Sequence, residues 1–304
     1  MESICVLMST YNGEKYVEEQ VLSIMNQVIN IDLKLVIRDD GSKDDTLKIL
    51  NQLEVKFGDK IRVVKEVNIG VVGSFLELVA SNPGYSYYAF CDQDDIWHPL
   101  KLQAAIIKLS KEKHKPAAYC SSYYCVDSRL KLISKVQITN FDDVNNLLCE
   151  NYAPGCTVVF NSYLYSHIKD VDCKSLIMHD WYVLILASLF GSVILDDNAY
   201  LYYRQHDNNV VGAETSAIKR FKRKFITIWK NKEKKSLSHQ LEYITLIKGI
   251  EPNISDEIKR FISPNNGFFS RLVLVWKCPF YRVSKFDDFI FKVLYISGFY
   301  KLKT

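Results

Sequence analysis

The chain has 304 residues, 48% of them hydrophobic, and a formal net charge of +4, enough to bury a large core in one large domain or two. Its eight cysteines include no Cys-x-x-Cys pair and several lie in apolar strand-like runs, which excludes a zinc site and reads as a reducing cytosol. No basic-then-apolar start marks a signal peptide, and no apolar run reaches the eighteen or so residues of a spanning helix.

Taken in chain order, Ser3 to Ser9 is a short apolar run that predicts a buried strand, broken by Thr10-Tyr11-Asn12-Gly13. Glu14 to Gln27 has helical spacing. Leu33 to Arg38 is a second strand ended by Asp39-Asp40-Gly41-Ser42, with Asp44 or Asp45 able to cap a helix running to about Phe57. Ile61 to Lys65 is a third strand. Asn68-Ile69-Gly70 makes a turn before a helix from about Val72 to Ala80. Ser86 to Cys91 is a fourth strand, and Pro99 opens another helix. Strand and helix alternate, which predicts a parallel sheet with helices on both faces. Ligands of such sheets bind beyond the carboxyl ends of the strands, where the polar clusters after strands one, two and four fall.

From about Ala117 the pattern loosens. Ala117 to Val126 and Thr157 to Phe160 read as strands, Trp181 to Phe190 as a buried helix, and Ser192 to Leu195 and Tyr200 to Arg204 as two further strands. After Gly212 the composition shifts to basic, aromatic helices. Residues 215–304 hold 19 Lys/Arg against 7 Asp/Glu, leaving 20 against 28 for residues 1–214, so an acidic front half precedes a basic tail. The expected division is therefore a catalytic domain at 1–214 and a helical C-terminal region at 215–304.

The most informative stretch is Cys91-Asp92-Gln93-Asp94-Asp95-Ile96-Trp97, which follows the apolar segment Tyr85 to Phe90. Carboxylates at the end of a buried strand are costly unless something neutralises them. A divalent cation shared with a diphosphate would do so, and hard oxygen ligands of this kind suit magnesium or manganese. The plainer reading is an acidic turn with Asp95 capping the next helix.

The ordered set STYNG (9–13), RDDGS (38–42), NIGVVGSF (68–75), DQDD (92–95), PGCT (154–157), HDW (179–181) and YRQH (203–206) resembles the inverting family-two glycosyltransferases, over about residues 3–212. The longer stretches CDQDDIWHPLKL (91–102) and YRQHDNNVVG (203–212) are similar to bacterial rhamnosyltransferases that build cell-wall or capsular polysaccharides. The resemblance implies the GT-A nucleotide-sugar-binding fold, an α/β architecture with a mainly parallel central sheet flanked by helices, here with a C-terminal helical extension.

The resemblance also implies a division of roles. Thr10, Tyr11, Asn12, Asp39, Asp40, Asn68, Gly70, Asp92 and Gln93 would bind the nucleotide-sugar, with Asp39 at the pyrimidine edge, where a carboxylate can accept from the ring N–H. Asp94, Asp92 and His206 would hold Mn2+ or Mg2+. Asp180 would be the catalytic base, since inversion by single displacement needs one base and no enzyme nucleophile. The plainer reading of Asp180 is a carboxylate favoured at a helix start. Gly155, Cys156, His179 and Trp181 would line the acceptor side, and Arg204 and Gln205 would meet phosphate or acceptor.

The expected activity is metal-dependent transfer of rhamnose from dTDP-rhamnose to a growing surface glycan or lipid-linked acceptor, at the cytoplasmic face of a membrane. A UDP-hexose or UDP-N-acetylhexosamine donor is the same-class alternative. A nucleotidyltransferase should carry a Gly-rich basic loop after strand one, which STYNG lacks; a non-catalytic sugar-nucleotide binder sits poorly with Asp92, Asp94 and Asp180 all present. Ile218 to Lys235 and the apolar runs at 268–276 and 289–300 read either as packing, on the catalytic domain or in a homo-oligomer, or as contact with an anionic membrane surface. No recognition module for nucleic acid accompanies the basic tail.

Overall fold

The computed structural model describes residues 2–112, 114–138, 143–171, 173–206 and 237–302. The chain divides into two compact units, one of residues 1–142, 152–173 and 179–213, the other of residues 143–151, 174–178 and 214–304. The basic stretch Ile218 to Lys235 and the Asp207-Asn208-Asn209 triplet lie outside the described residues.

The first unit is built on a mixed sheet. Strands β1 (Ser3–Thr10), β2 (Asp32–Asp39), β3 (Ile61–Lys65) and β4 (Tyr87–Cys91) run parallel in the order β3-β2-β1-β4. The interior of β1 and all of β4 are buried, as expected for strands covered on both faces. Helices α1 (Val17–Met25), α2 (Thr46–Phe57) and α3 (Gly70–Ala80) make the crossovers, and Val17, Val21, Ile24, Leu50 and Leu53 pack onto the sheet core. Register sets the functional edge: Thr10 pairs with Asp39 and Met8 with Cys91, so the loops after β1, β2 and β4 open side by side.

Beyond β4 the sheet is mixed, with both antiparallel and parallel pairs. β5 (Ile96–Trp97) precedes α4 (Lys101–Leu109), which begins after rather than at Pro99. β6 (Ala117–Val126), the edge hairpin strand β7 (Leu132–Val136), β8 (Val159–Asn161) and β9 (Ser192–Arg204) complete the order β4-β8-β6-β9-β5, with β7 on β6. The two strands expected over 192–204 are one. The polar Asp196-Asp197-Asn198 between them is absorbed where the pairing with β6 shifts register between Ser121 and Ser122. Asp196 is held there by the Tyr119 hydroxyl at 2.9 Å and Lys108 Nζ at 3.1 Å.

Two helices follow the second half of the sheet. Helix α6 (Ser162–Ile168) is capped by Asn161, whose side chain accepts from Leu164 N–H. Helix α7 (His179–Phe190) starts two residues before the expected Trp181, and everything from His179 to Ala187 is buried.

The second unit is helical. Asp143 caps α5 (Val144–Leu147). The C-terminal helices are α8 (Leu237–Thr245), α9 (Pro252–Ile262), α10 (Phe268–Lys277) and α11 (Lys285–Ser297). Phe261 stacks on Tyr295 at 4.5 Å between ring centres, and Phe280, Phe291 and Tyr300 are buried around them. The short segments 143–151 and 174–178 join this unit through polar contacts: Asn146 donates to the Tyr281 carbonyl, Glu150 accepts from Val283 N–H, and Gln240 accepts from Ile177 N–H. No helix among the described residues is long and apolar enough to cross a membrane.

Candidate active site

The carboxyl edge of β1, β2 and β4 gathers the first three polar motifs. Thr10 Oγ1 donates to Asp39 Oδ1 at 3.1 Å, and Asp39 also accepts from Ser42 Oγ and, at 3.0 Å, from Ser42 N–H. Both Thr10 and Asp39 are buried. Asn12, at φ +49°, donates its N–H to Ser42 Oγ and accepts from Lys43 N–H, each at 2.9 Å. Asn12 and the Tyr11 ring are exposed above this knot.

Asp40 is turned the other way. It pairs with Arg38 and accepts from Ile69 N–H and Gly70 N–H at 3.0 Å each. It thus satisfies amides at the start of α3 from the neighbouring loop and is buried in doing so. Its carboxylate shapes the Asn68-Ile69-Gly70 turn, all three residues of which are exposed.

Gln93 likewise faces the protein. Its amide pairs with the Tyr11 backbone in both directions. A side chain on Gly13 would place its first carbon 2.2 Å from Gln93 Oε1, so any larger residue there would displace the Gln93 amide. Gly13 reads locally only as part of a turn, because the clash partner lies eighty residues downstream.

The acidic loop splits into three environments. Asp92 and Asp94 are half-buried, whereas Asp95 is fully buried. Asp94 Oδ2 lies 2.7 Å from His206 Nε2, and the His206 ring packs 5.0 Å from that of Tyr16. Asp92, Asp95 and Cys156 offer donor atoms all within 4.8 Å of one another. Burial first, then the Asp94 and Asp180 charges, push the Asp92 carboxyl up to about 7. Burial with Asp94 and Asp92 raises Asp95 well above the carboxylate range, and burial raises the Cys156 thiol. Asp95 caps no helix: one oxygen accepts from Arg204 N–H at 3.1 Å and the other has no hydrogen-bond partner among the described residues.

Cationic compensation nearby is thin. Lys101 is fully buried, its ammonium sits 3.7 Å over the Trp97 ring without a hydrogen-bond partner among the described residues, and burial lowers it to about 8. A hard divalent cation fits this site: clustered carboxylates repel one another, and a buried Asp95 oxygen among them has no hydrogen-bond partner among the described residues.

Arg204 differs from its expected role at phosphate or acceptor. It is 2% exposed because its guanidinium is already engaged. Nε donates to the Asp94 carbonyl at 2.8 Å, one terminal nitrogen to the Ser128 carbonyl at 2.9 Å, and the other to Glu19 at 2.6 Å. The same group lies 4.5 Å over the Tyr16 ring. Arg204 therefore positions the acidic loop against β9 and α1.

Asp180 stands in the first turn of α7, buried, with Oδ1 accepting from Trp181 N–H at 2.7 Å. Gly155 makes room for it. A first side-chain carbon at Gly155 would lie 3.1 Å from His179 Nε2 and 3.5 Å from Asp180 Oδ2. His179 is packed as an aromatic, stacked on Phe75 at 4.0 Å and edge-on to Phe90 at 4.7 Å. Neither ring nitrogen has a hydrogen-bond partner among the described residues, and burial lowers the ring to about 3, leaving it neutral. Trp181 and Cys156 are also buried.

Comparison with known proteins follows the same lines. The family described as Glycosyl transferase family 2 matches residues 5–168. The chain is 32% identical over 228 residues to the dTDP-rhamnosyl transferase RfbG of Shigella flexneri, covering 71% of this chain and 77% of that protein. It is 24% identical over 274 residues to an uncharacterized glycosyltransferase of Rickettsia prowazekii, covering 86% and 80%. Among solved structures, S. aureus TarS 1-349 in complex with UDP-GlcNAc superposes with a TM-score of 0.57 at 18% identity, over 85% of this chain and 70% of that one, a likeness of fold.

Proposed function

This chain belongs to glycosyl transferase family 2 and has its GT-A fold, and from that premise we propose that it is a metal-dependent inverting rhamnosyltransferase using dTDP-rhamnose. The observation that carries the proposal is the convergence of the loops after β1, β2 and β4 on Asp92 and Asp94, with His206 2.7 Å from Asp94. The donor assignment is supported by the identity to RfbG. The UDP-N-acetylhexosamine alternative is favoured by one observation, the fold shared with a protein solved with UDP-GlcNAc, at lower identity.

The nucleotide would lie over Thr10, Tyr11, Asn12 and Asp39, with Asn68 and Gly70 along its flank and Asp92 towards the ribose. Asp40 and Gln93 serve that site indirectly, by holding the loops that form it. Asp94, Asp92 and His206 would hold Mn2+ or Mg2+, which when bound supplies charge neutralisation for the departing diphosphate. Asp180 takes the proton from the acceptor hydroxyl as its oxygen attacks the anomeric carbon. The bond from that carbon to the diphosphate oxygen breaks, the electron pair leaves with the nucleotide, and configuration inverts. A base must lie within hydrogen-bond reach of the proton it removes, and Gly155, without a side chain, packs directly against Asp180. The acceptor on this reading is a growing surface polysaccharide or a lipid-linked glycan at a cytoplasmic membrane face.

The direct test is release of nucleoside diphosphate from dTDP-rhamnose, UDP-glucose and UDP-GlcNAc, each with Mn2+ and with chelator. Selective, chelator-sensitive turnover of dTDP-rhamnose is expected. Preferential turnover of a UDP-sugar would reassign the donor, and full activity in chelator would remove the metal.

A further inference from the structure

We propose that the exposed aromatic faces of α10 and α11 are a docking surface for an anionic lipid bilayer. The inference deepens the reading above, on which it rests for the lipid carrier, by naming where the protein meets the membrane. On α10, Phe268, Phe269, Val273 and Trp276 are exposed, Phe269 by 81% and Trp276 by 89%. On α11, Phe286, Phe289 and Val293 are exposed at helical spacing, while Asp287, Phe291 and Tyr295 on other positions are buried. The two helices pack against each other. Single exposed apolar side chains are ordinary; seven on two adjoining helices mark a surface that something covers.

Charge selects the occupant. Helix α10 contains no acidic residue, and Lys277 closes it; Lys285 opens α11. The acidic groups of α11 are turned to the protein. Asp287 is buried, and Asp288 pairs with Lys292 at 2.7 Å and accepts from Arg282 N–H. Residues 268–297 carry five Lys/Arg against two Asp/Glu. Aromatic side chains flanked by lysine suit the headgroup boundary, and basic charge strengthens binding to anionic lipid. A second copy of the chain would bring two such basic regions together, an arrangement opposed by their like charge. Helices of 10 and 13 residues are too short to span and would lie in the interface plane.

The test uses the full chain with vesicles of equimolar phosphatidylglycerol and phosphatidylcholine, and with phosphatidylcholine alone. Sedimentation with the anionic vesicles, weakened by salt, is expected, with a blue shift of Trp emission that Trp276→Phe reduces. The triple variant Phe269→Ser, Trp276→Ser, Phe289→Ser changes only exposed positions. It should keep its melting temperature and its release of nucleoside diphosphate from donor, yet bind anionic vesicles more than about tenfold more weakly. Equal vesicle binding by the folded variant would overturn the proposal, as would absence of wild-type binding. So would a wild-type dimer that the variant converts to monomer without any vesicle binding. Vesicle binding with no donor turnover would leave this surface standing and sink the enzymatic reading instead.

Discussion

The side-chain amide of Gln93 pairs with the backbone of Tyr11 in both directions, accepting from its N–H at 2.9 Å and donating to its carbonyl at 3.1 Å. This pairing ties the loop after β1 to the loop after β4, and Gly13 is the residue that leaves room for it. Gly13→Ala should therefore expel Gln93 and loosen both loops. We expect donor affinity, read by calorimetry, to fall by about tenfold, as for loss of two hydrogen bonds. Gln93→Ala should cost a similar amount, and the double variant should resemble either single one rather than their sum, because both remove one interaction. Strict additivity would show that the two positions act separately.

Arg204 and Glu19 make an ion pair of unequal burial, 3% against 57% side-chain exposure. The carboxylate is the dispensable half. Glu19→Gln should cost less than about 1 kcal/mol, as exposed partners do. Arg204→Lys leaves the Asp94 and Ser128 carbonyls short of the planar fork that serves both, at about 1–3 kcal/mol. Denaturant melts of the two variants give the comparison; equal losses would mean that the clamp on the acidic loop contributes nothing beyond the ion pair.

The first four strands, the polar edge beyond them and the buried helix ending at Phe190 were legible because each is written in a local run of apolar or turn residues. What was illegible depends on distant partners. The stretch Asp196-Asp197-Asn198 reads locally as a turn, yet it stays inside one strand because Tyr119 and Lys108 neutralise Asp196. Arg204 reads as an anion ligand beside His206, yet its donors are taken by residues 94, 128 and 19. Asp40 and Asp39 are neighbours with the same chemistry; the Arg38 guanidinium and the amides of Ile69 and Gly70, brought close by the sheet, turn one of them towards α3. The clustering of Asp95 with Cys156 carried no sequence signal at all.

The acidic loop and Asp180 should separate in their effects. Asp94→Asn should abolish chelator-sensitive transfer. His206→Ala should weaken Mn2+ binding, followed by titration, by about 10–100-fold, since its ring lies against Asp94. Asp180→Asn should leave donor and Mn2+ affinity near wild type while lowering kcat by about 100–10,000-fold. A loss of donor affinity in Asp180→Asn without a fall in kcat would move that residue from proton transfer to binding.

The proton chemistry of His179 offers a test that needs no substrate. In the folded chain burial lowers the ring to about 3, whereas an unfolded histidine titrates near its ordinary value of about 6.5. The unfolded state therefore takes up a proton as pH falls through about 6.5 and the folded state does not, so the contribution to stability declines steadily down to about pH 3. Between pH 7 and 5 the loss from this one ring is roughly 2 kcal/mol. His179→Phe keeps an aromatic between Phe75 and Phe90, and His179→Gln keeps a polar group; neither titrates. Both variants should show flatter melting curves against pH over that interval than the parent, whatever their stability at pH 7, because the remaining carboxylates are common to all three. Parallel curves would mean that the ring takes up its proton inside the folded chain, and that the pocket made by Phe75, Phe90 and Gly155 admits water to it.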